Sequence, residues 1–187
     1  MKLLVHTCCA PCFTYIYEDL VNYREIFGKE YGDVDITSYY YNPNIHPKFE
    51  FERRKKTLID FCNMKNCKLV TDDYYNLREF AKHDSNHEGY ISRCHYCYYT
   101  RLKSSFEYAK ENDFDAVLTT LSISPYQNQK LISEVGQALA KEYGIEFIHL
   151  DYTVKYRQGQ QMARELGLYR QKYCGCVFSM DEGKWEY

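Results

Sequence analysis

No apolar run in these 187 residues approaches the length of a membrane span, so a transmembrane helix is not expected. Met1-Lys2 leads straight into an apolar segment too short for the hydrophobic region of a secretory signal, and a cytoplasmic location is expected. There is no excess of positive charge: 24 Lys and Arg against 26 Asp and Glu leave a net charge of −2. Any nucleic-acid contact must therefore come from a local patch and not from the surface as a whole. Glycine does not occur before Gly28, which excludes a glycine-rich phosphate loop after the first strand. Internal repeats, low-complexity tracts and linkers are also missing. A chain of this length is expected to form one α/β domain, 1–187, with a basic, cysteine-bearing segment from about 151 packed on it.

What the chain does have is sulfur and phenol. Nine cysteines in a chain expected to be cytoplasmic point to metal binding or redox chemistry and away from a disulfide framework. Tyrosine occurs 21 times against 10 Phe and 1 Trp; most of these rings are expected to fill half-buried positions, while exposed ones suit stacking on bases.

Three of the cysteines fall within five positions, in Leu3-Leu4-Val5-His6-Thr7-Cys8-Cys9-Ala10-Pro11-Cys12. The apolar run predicts a buried strand, and a helix is expected from near Phe13, with Tyr15, Ile16 and Leu20 on its apolar face. Asp33 to Tyr41 is β-branched and aromatic, a second strand ended by the turn Asn42-Pro43-Asn44. A helix over Phe49–Phe61 follows, carrying the cations Arg53, Arg54, Lys55 and Lys56, then a third strand at Lys68-Leu69-Val70. Asp72 to Ser92 is polar and weakly periodic and is expected to wrap one end of the sheet. Ser92 is the predicted N-cap of a helix with Tyr98, Leu102, Phe106 and Ala109 inward. Phe114–Thr120 and Glu146–Leu150 read as strands four and five, with a helix over Gln129–Tyr143 between them. This alternation predicts a largely parallel sheet. Ligands of such sheets sit beyond the carboxyl ends of the strands, which is where Cys8, Cys9 and Cys12 fall.

Cys94-x-x-Cys97 opens a helix, where residues three apart share a face and thiolates are favoured by the positive helix end. Together with the first three thiols it can supply the four ligands of an iron–sulfur cluster or a tetrahedral zinc. Extended neighbours point apart, so Cys8 and Cys9 reach one metal only if the backbone turns between them; otherwise they divide between a cluster and a second metal. Cys174-Gly175-Cys176 is either a strained, reducible disulfide suited to electron relay or a further pair of metal ligands. Cys62 and Cys67 read as small buried hydrophobes. His6 and His46 are expected as hydrogen-bonded strand and loop residues, and Asp151, just past strand five, as a metal ligand or general acid. The Ser122–Asn128 stretch, Ser124 included, offers hydroxyl and amide donors at a helix start and suits an anion such as phosphate. Lys155, Arg157, Arg164, Arg170 and Lys172, interleaved with Tyr156, Tyr169 and Tyr173, form the candidate RNA-binding patch.

Taken together, His6-x-Cys8-Cys9-Ala10-Pro11-Cys12, Tyr41-Asn42-Pro43-Asn44-Ile45-His46-Pro47, Arg93-Cys94-x-x-Cys97 with Arg101-Leu102, Thr119-Thr120-Leu121 with Ser124-Pro125-Tyr126, and Gly167 to Cys176 resemble the QueH family of epoxyqueuosine reductases. The match runs from the first strand almost to the C-terminus. Gln127 stands where a lysine is expected, and Gln158-Gly159-Gln160 replaces Lys-Gly-Gly; both departures bear on the phosphate contacts. The resemblance implies a Rossmann-like fold related to the adenine-nucleotide α-hydrolases, and a 4Fe-4S cluster (Cys8, Cys9, Cys94, Cys97) beside a mononuclear iron, with Cys12, Cys174 and Cys176 as further candidate ligands. It implies the last step of queuosine formation in tRNA, in which epoxyqueuosine loses its epoxide oxygen as water. In that reading Cys174 and Cys176 relay electrons from an external donor, Asp151 supplies a proton, and the protein acts as a monomer. Two rivals are a cluster-dependent tRNA sulfur-transfer enzyme, which needs the missing glycine loop, and a zinc-stabilised RNA-binding module.

Overall fold

β1 (Lys2–His6) is covered on both sides: Leu3, Leu4 and Val5 are wholly buried, which is why the segment reads as a continuous apolar run instead of an alternating one. It lies at the centre of a five-stranded parallel sheet of order β3-β2-β1-β4-β5 in the computed structural model, which describes residues 1–86 and 89–180. The other strands are β2 (Asp35–Tyr40), β3 (Lys68–Thr71), β4 (Ala116–Thr119) and β5 (Glu146–Ile148). His6 is in register with Tyr39 on one side and Thr119 on the other. The predicted α/β fold with a parallel sheet is the fold observed.

The helices are α1 (Ala10–Glu18), α2 (Lys48–Lys65), α3 (Leu77–Asn86), α4 (Arg93–Glu111), α5 (Gln129–Tyr143), α6 (Tyr156–Glu165) and the short α7 (Val177–Met180). α1 packs with α2 and α6, and α4 with α3 and α5. The chain builds outward from β1 to β3, then returns past β1 to lay down β4 and β5. The order therefore reverses between β1 and β4, and the crevice beyond their carboxyl ends is the ligand position of an open α/β sheet. The loops entering that crevice carry Cys8–Cys12 from β1 and Thr119-Thr120 from β4.

Several elements differ from the sequence expectation. α1 starts at Ala10, three residues before the predicted Phe13. Pro11 has the fixed φ that suits a first helical turn, and Cys9 before it is extended at φ −171° and ψ 159°. α1 also runs on through a π-helical turn, Asp19–Tyr23. The polar 72–92 stretch contains α3, anchored by buried Phe80, a single apolar contact too sparse to register as periodicity. α5 begins as predicted, but its cap is Asn128, whose side chain accepts from Leu131 N at 3.0 Å, and not one of the serines before it. Ser92 does cap α4, accepting from His95 N at 3.2 Å, and Tyr98, Leu102, Phe106 and Ala109 are buried as the spacing predicts. Gly136 lets α5 lie against β5: a Cβ there would stand 2.0 Å from the Phe147 ring. The basic segment from 151 packs through α6 on α1, with the Thr14 hydroxyl donating to Gly159 O at 3.0 Å; its residues 181–187 lie outside the described residues.

Asp19 ties the start of that segment to the body. Wholly buried, it accepts from Glu25 N (2.7 Å), Phe27 N (2.7 Å) and the Tyr152 hydroxyl (3.0 Å). Asp19→Ala leaves these donors buried without an acceptor and is expected to lower unfolding free energy by about 3 kcal/mol in a urea melt. Asp60→Ala, which removes only an exposed pair with Lys56, is expected to change it by less than about 0.5 kcal/mol.

Candidate metal centre

The backbone turns between Cys8 and Cys9. Cys9 is the last extended residue, Ala10 the first helical one, and Cys12 lies one turn further on, so Cys9 and Cys12 share a face. The thiol sulfurs of Cys8, Cys9 and Cys12 all lie within 4.8 Å of one another, and the three side chains are 7%, 1% and 3% exposed. Among the described residues this is the only group of three such donors. Thiolates around one tetrahedral ion with 2.3 Å bonds stand about 3.8 Å apart, so the triad is close to what a soft metal demands and lacks a fourth ligand. The expectation that the adjacent cysteines divide between two metals is not required by this geometry, because they converge.

Electrostatics agree with a metal-thiolate role. Hydrogen bonds from Cys12 and Cys9, then from Thr120 (3.3 Å), with Arg101 nearby, hold the Cys8 thiol well below its ordinary range despite burial. Burial and the Cys8 charge push Cys9 up, and hydrogen bonding to Cys8 and Cys9, with burial, pushes Cys12 up. Three protons cannot all leave this site without a compensating cation; a bound metal displaces them. Two buried guanidiniums supply part of the compensation. Arg101, 2% exposed, donates from Nε to Asn44 Oδ1 at 2.8 Å and meets no carboxylate among the described residues. Its charge acts on Cys8 and, against the upward push of burial, on Cys97. Arg54, also 2% exposed, draws Cys9 toward the anion against the larger effect of burial. A buried cation is costly unless paired: Arg54 has the Glu50 carboxylate, and Arg101 acts on the Cys8 thiol.

The remaining predicted thiols form a second, outer group. Cys97, half-buried in the first turns of α4, has its thiol raised by burial and feels the charges of Cys174 and Cys94. Cys94 is exposed. Cys174 (exposed) and Cys176 (half-buried) are free thiols, with the Cys174 sulfur 3.1 Å from Ser179 Oγ; burial, then Cys174, pushes Cys176 up to about 12. Gly175 between them has φ +109°, and a Cβ there would come 2.9 Å from Ile45, so only glycine fits. Cys62 is buried and in contact with Cys67, which is half-buried at the start of β3, outside the described metal-ligand group.

The histidines behave as expected. His6 is buried with its pKa lowered to about 4 by burial and by Arg101, so it is neutral. Its Nε2–H donates to Tyr41 O (3.3 Å) and Nδ1 accepts from the Thr119 hydroxyl (2.8 Å), whose oxygen in turn accepts from Leu121 N. His46 Nδ1 is 2.9 Å from Tyr75 Oη, and burial lowers its pKa to about 4. Asp151 is exposed, and hydrogen bonds from the Thr153 side chain and N–H lower its pKa. It stands three residues past the end of β5, where the sequence reading placed it. In the basic patch, Arg157, Arg164, Arg170 and Lys172 are exposed, whereas Lys155 is paired with Glu25 and lies over the Tyr15 ring. Ser124 is half-buried, its hydroxyl accepting from Tyr126 N at 3.4 Å, and Gln127 accepts from the Tyr98 hydroxyl at 2.7 Å.

Several participants had no role assigned in the sequence reading. Gln171 donates to Cys12 Sγ at 3.5 Å, and its Oε1 is buried without a partner. Thr120 contacts Cys8, accepting from its N–H at 3.0 Å. Glu50 pairs with Arg54 at 2.7 Å. Arg54 itself was legible: it falls in phase with Phe51, Leu58 and Phe61, the buried stripe of α2, while Lys55 and Lys56 do not.

The family model described as epoxyqueuosine reductase QueH matches residues 3–182. A protein of that name from Dehalococcoides mccartyi is 34% identical over 179 residues, 95% of this chain and 92% of that one. The Acinetobacter baylyi protein is 34% identical over 191 residues (98% and 83%), and the Thermotoga maritima protein 30% identical over 188 (96% and 91%), both with the same name. Among solved structures, the U34-tRNA thiolase NcsA from Methanococcus maripaludis, with its 4Fe-4S cluster, superposes with a TM-score of 0.61 at 14% identity, over 96% of this chain and 61% of that one, a likeness of fold. Matched along nearly its whole length, with its cysteine loop at the switch point of the sheet, the chain belongs to the epoxyqueuosine reductase QueH family.

Proposed function

We propose that this protein is a cytoplasmic, monomeric oxidoreductase that converts epoxyqueuosine in tRNA to queuosine. The reaction takes two electrons and two protons, breaks both C–O bonds of the epoxide, leaves a C=C bond and releases water. The observation that carries the reading is the buried Cys8/Cys9/Cys12 triad at the switch point, flanked by two buried guanidiniums, in a member of this family. Those three thiols, with Cys94 and Cys97 as the outer pair, would hold the metal centre. A 4Fe-4S cluster and an adjacent iron, when bound, supply single electrons and a Lewis acid for oxygen.

The chain's own contribution is charge and exclusion of water. Arg101 favours the Cys8 thiolate and Arg54 offsets part of the burial that pushes Cys9 up, and the neutral His6 adds no competing cation. Asn44, held by Arg101, forms part of the wall beside Cys97. Cys174 and Cys176, oxidised together, yield two electrons and two protons, the number that one deoxygenation consumes; an external donor would then reduce the pair again. Arg157, Arg164, Arg170 and Lys172 present the exposed cations for the tRNA backbone, with Ser124 near the crevice. Lys155 contributes less, being committed to Glu25.

Anaerobic purification followed by iron, acid-labile sulfide and zinc analysis tests the metal assignment. Iron with sulfide is the expected result; zinc alone would instead support a zinc-stabilised RNA-binding module and overturn the reductase. Cys94→Ser and Cys97→Ser are each expected to remove cluster absorbance and turnover together, and retention of both properties would remove these residues from the ligand set. Neutralising Arg164 and Arg170 to Gln is expected to weaken tRNA binding in filter or anisotropy assays and to reduce the slope of log affinity against log salt by about 2. An unchanged slope would count against the patch.

A further inference from the structure

Arg54 reaches the C-terminal dithiol turn as well as the buried triad. Nε pairs with Glu50 Oε1 at 2.7 Å; Nη1 donates to Cys174 O at 3.1 Å and Nη2 to Tyr173 O at 3.0 Å. The guanidinium lies over the Tyr173 ring, 5.2 Å from its centroid. Glu50, itself 2% exposed, accepts from the Tyr169 hydroxyl on its second oxygen at 2.8 Å. On the other side of the turn His46 N donates to Gly175 O at 2.8 Å, and the Tyr173 hydroxyl donates to His46 O. The two Arg54 bonds to carbonyls and the His46 bond reach the backbone of the turn, so Arg54 binds neither thiol.

A guanidinium has a flat fork with donors on three nitrogens, and each is used here: one for the carboxylate, two for successive carbonyls. An ammonium at the same place keeps the charge but cannot span the three acceptors. Burial makes the arrangement all-or-none, because releasing the turn would leave Arg54 and Glu50 with unpaired donors and acceptors in a dry interior.

We propose that Arg54, oriented by Glu50, is a positioning residue for the reaction: it clamps the Tyr173-Cys174 carbonyls and so presents the Cys174-Gly175-Cys176 turn to the metal centre. The proposal rests on the reading that Cys174 and Cys176 take part in the reduction. Arg54 touches neither substrate nor reacting sulfur; it acts through the turn it holds.

The test compares Arg54→Lys and Glu50→Gln with the parent and with Lys56→Met, an exposed change on the same helix, all as anaerobically purified holoprotein. Alkylation of individual cysteines by iodoacetamide is followed by peptide mass spectrometry, alongside iron content and turnover on epoxyqueuosine-containing tRNA. In Arg54→Lys, Cys176 is expected to alkylate about tenfold faster relative to Cys62, the loss of one charge-assisted hydrogen bond being worth about a factor of ten in local opening. Iron content is expected to stay at the parent level while turnover falls at least about tenfold. A rise in both alkylation rates together would mean general loosening of the fold and would overturn a positioning role, as would an unchanged Cys176-to-Cys62 ratio. If Arg54→Lys does not accumulate as folded protein, Glu50→Gln, which keeps the guanidinium but weakens its anchor, is expected to show the same selective change on a smaller scale, and no selective change there overturns the proposal. Cys174→Ser and Cys176→Ser separate the two readings. Full turnover in these variants defeats the dithiol relay, whereas the alkylation ratio alone decides the clamp.

Discussion

The candidate metal centre depends on one change of backbone conformation, from extended at Cys9 to helical at Ala10. In a continuing strand the side chains of Cys8 and Cys9 would leave on opposite sides. The turn gathers them, and the first turn of α1 adds Cys12. Pro11 belongs to the same device, since its fixed φ favours a helix start there and its missing N–H is no loss in a first turn. The sheet order then places this turn beside the end of β4, where Thr120 reaches the Cys8 sulfur.

Gathering three thiols in a buried place raises an electrostatic difficulty, and much of the surrounding structure answers it. Arg101 comes from α4 and Arg54 from α2, so the two helices on either side of the crevice each contribute a buried cation. Asn44, in the turn after β2, orients the first, and Glu50 orients the second. Asn42 of the same turn donates to Thr7 O at 3.0 Å, joining the loop after β2 to the end of β1. The Asn-Pro-Asn stretch, which reads in the sequence as chain reversal, is therefore also the support for the buried cation that acts on Cys8.

The C-terminal segment is held by three independent anchors spaced along its length. Tyr152 reaches Asp19, Gly159 lies on α1, and the Tyr173–Gly175 backbone is gripped by Arg54 and His46. Between the last two, Gln171 touches Cys12. A segment fixed at these points carries Cys176, whose thiol burial raises as it does that of Cys97.

The sequence by itself determined the parallel α/β architecture, because β1 and β4 carry the continuous apolar runs of doubly covered strands and α4 and α5 carry the 3.6-residue repeat. It also placed a cluster of thiols just past the end of β1, and the long motif matches were enough to point to the family. Boundaries slipped where local signals were weak, as at α3, where one Phe does the anchoring, and at α1, where the first turn is made of cysteines that periodicity does not count. Only the tertiary structure decided which charged residues matter. The α2 stripe marks Arg54 as the inward one of Arg53, Arg54, Lys55 and Lys56, yet only the tertiary structure sets it against Glu50 and the Cys174 turn; Lys155 likewise pairs with Glu25, and Asp151 lies at the surface. The role of a charge depends on its desolvation and on partners distant in the chain, 120 residues away for Arg54 and Cys174. Partners so distant are not written in local spacing, and they follow once the sheet has fixed which ends of which elements meet.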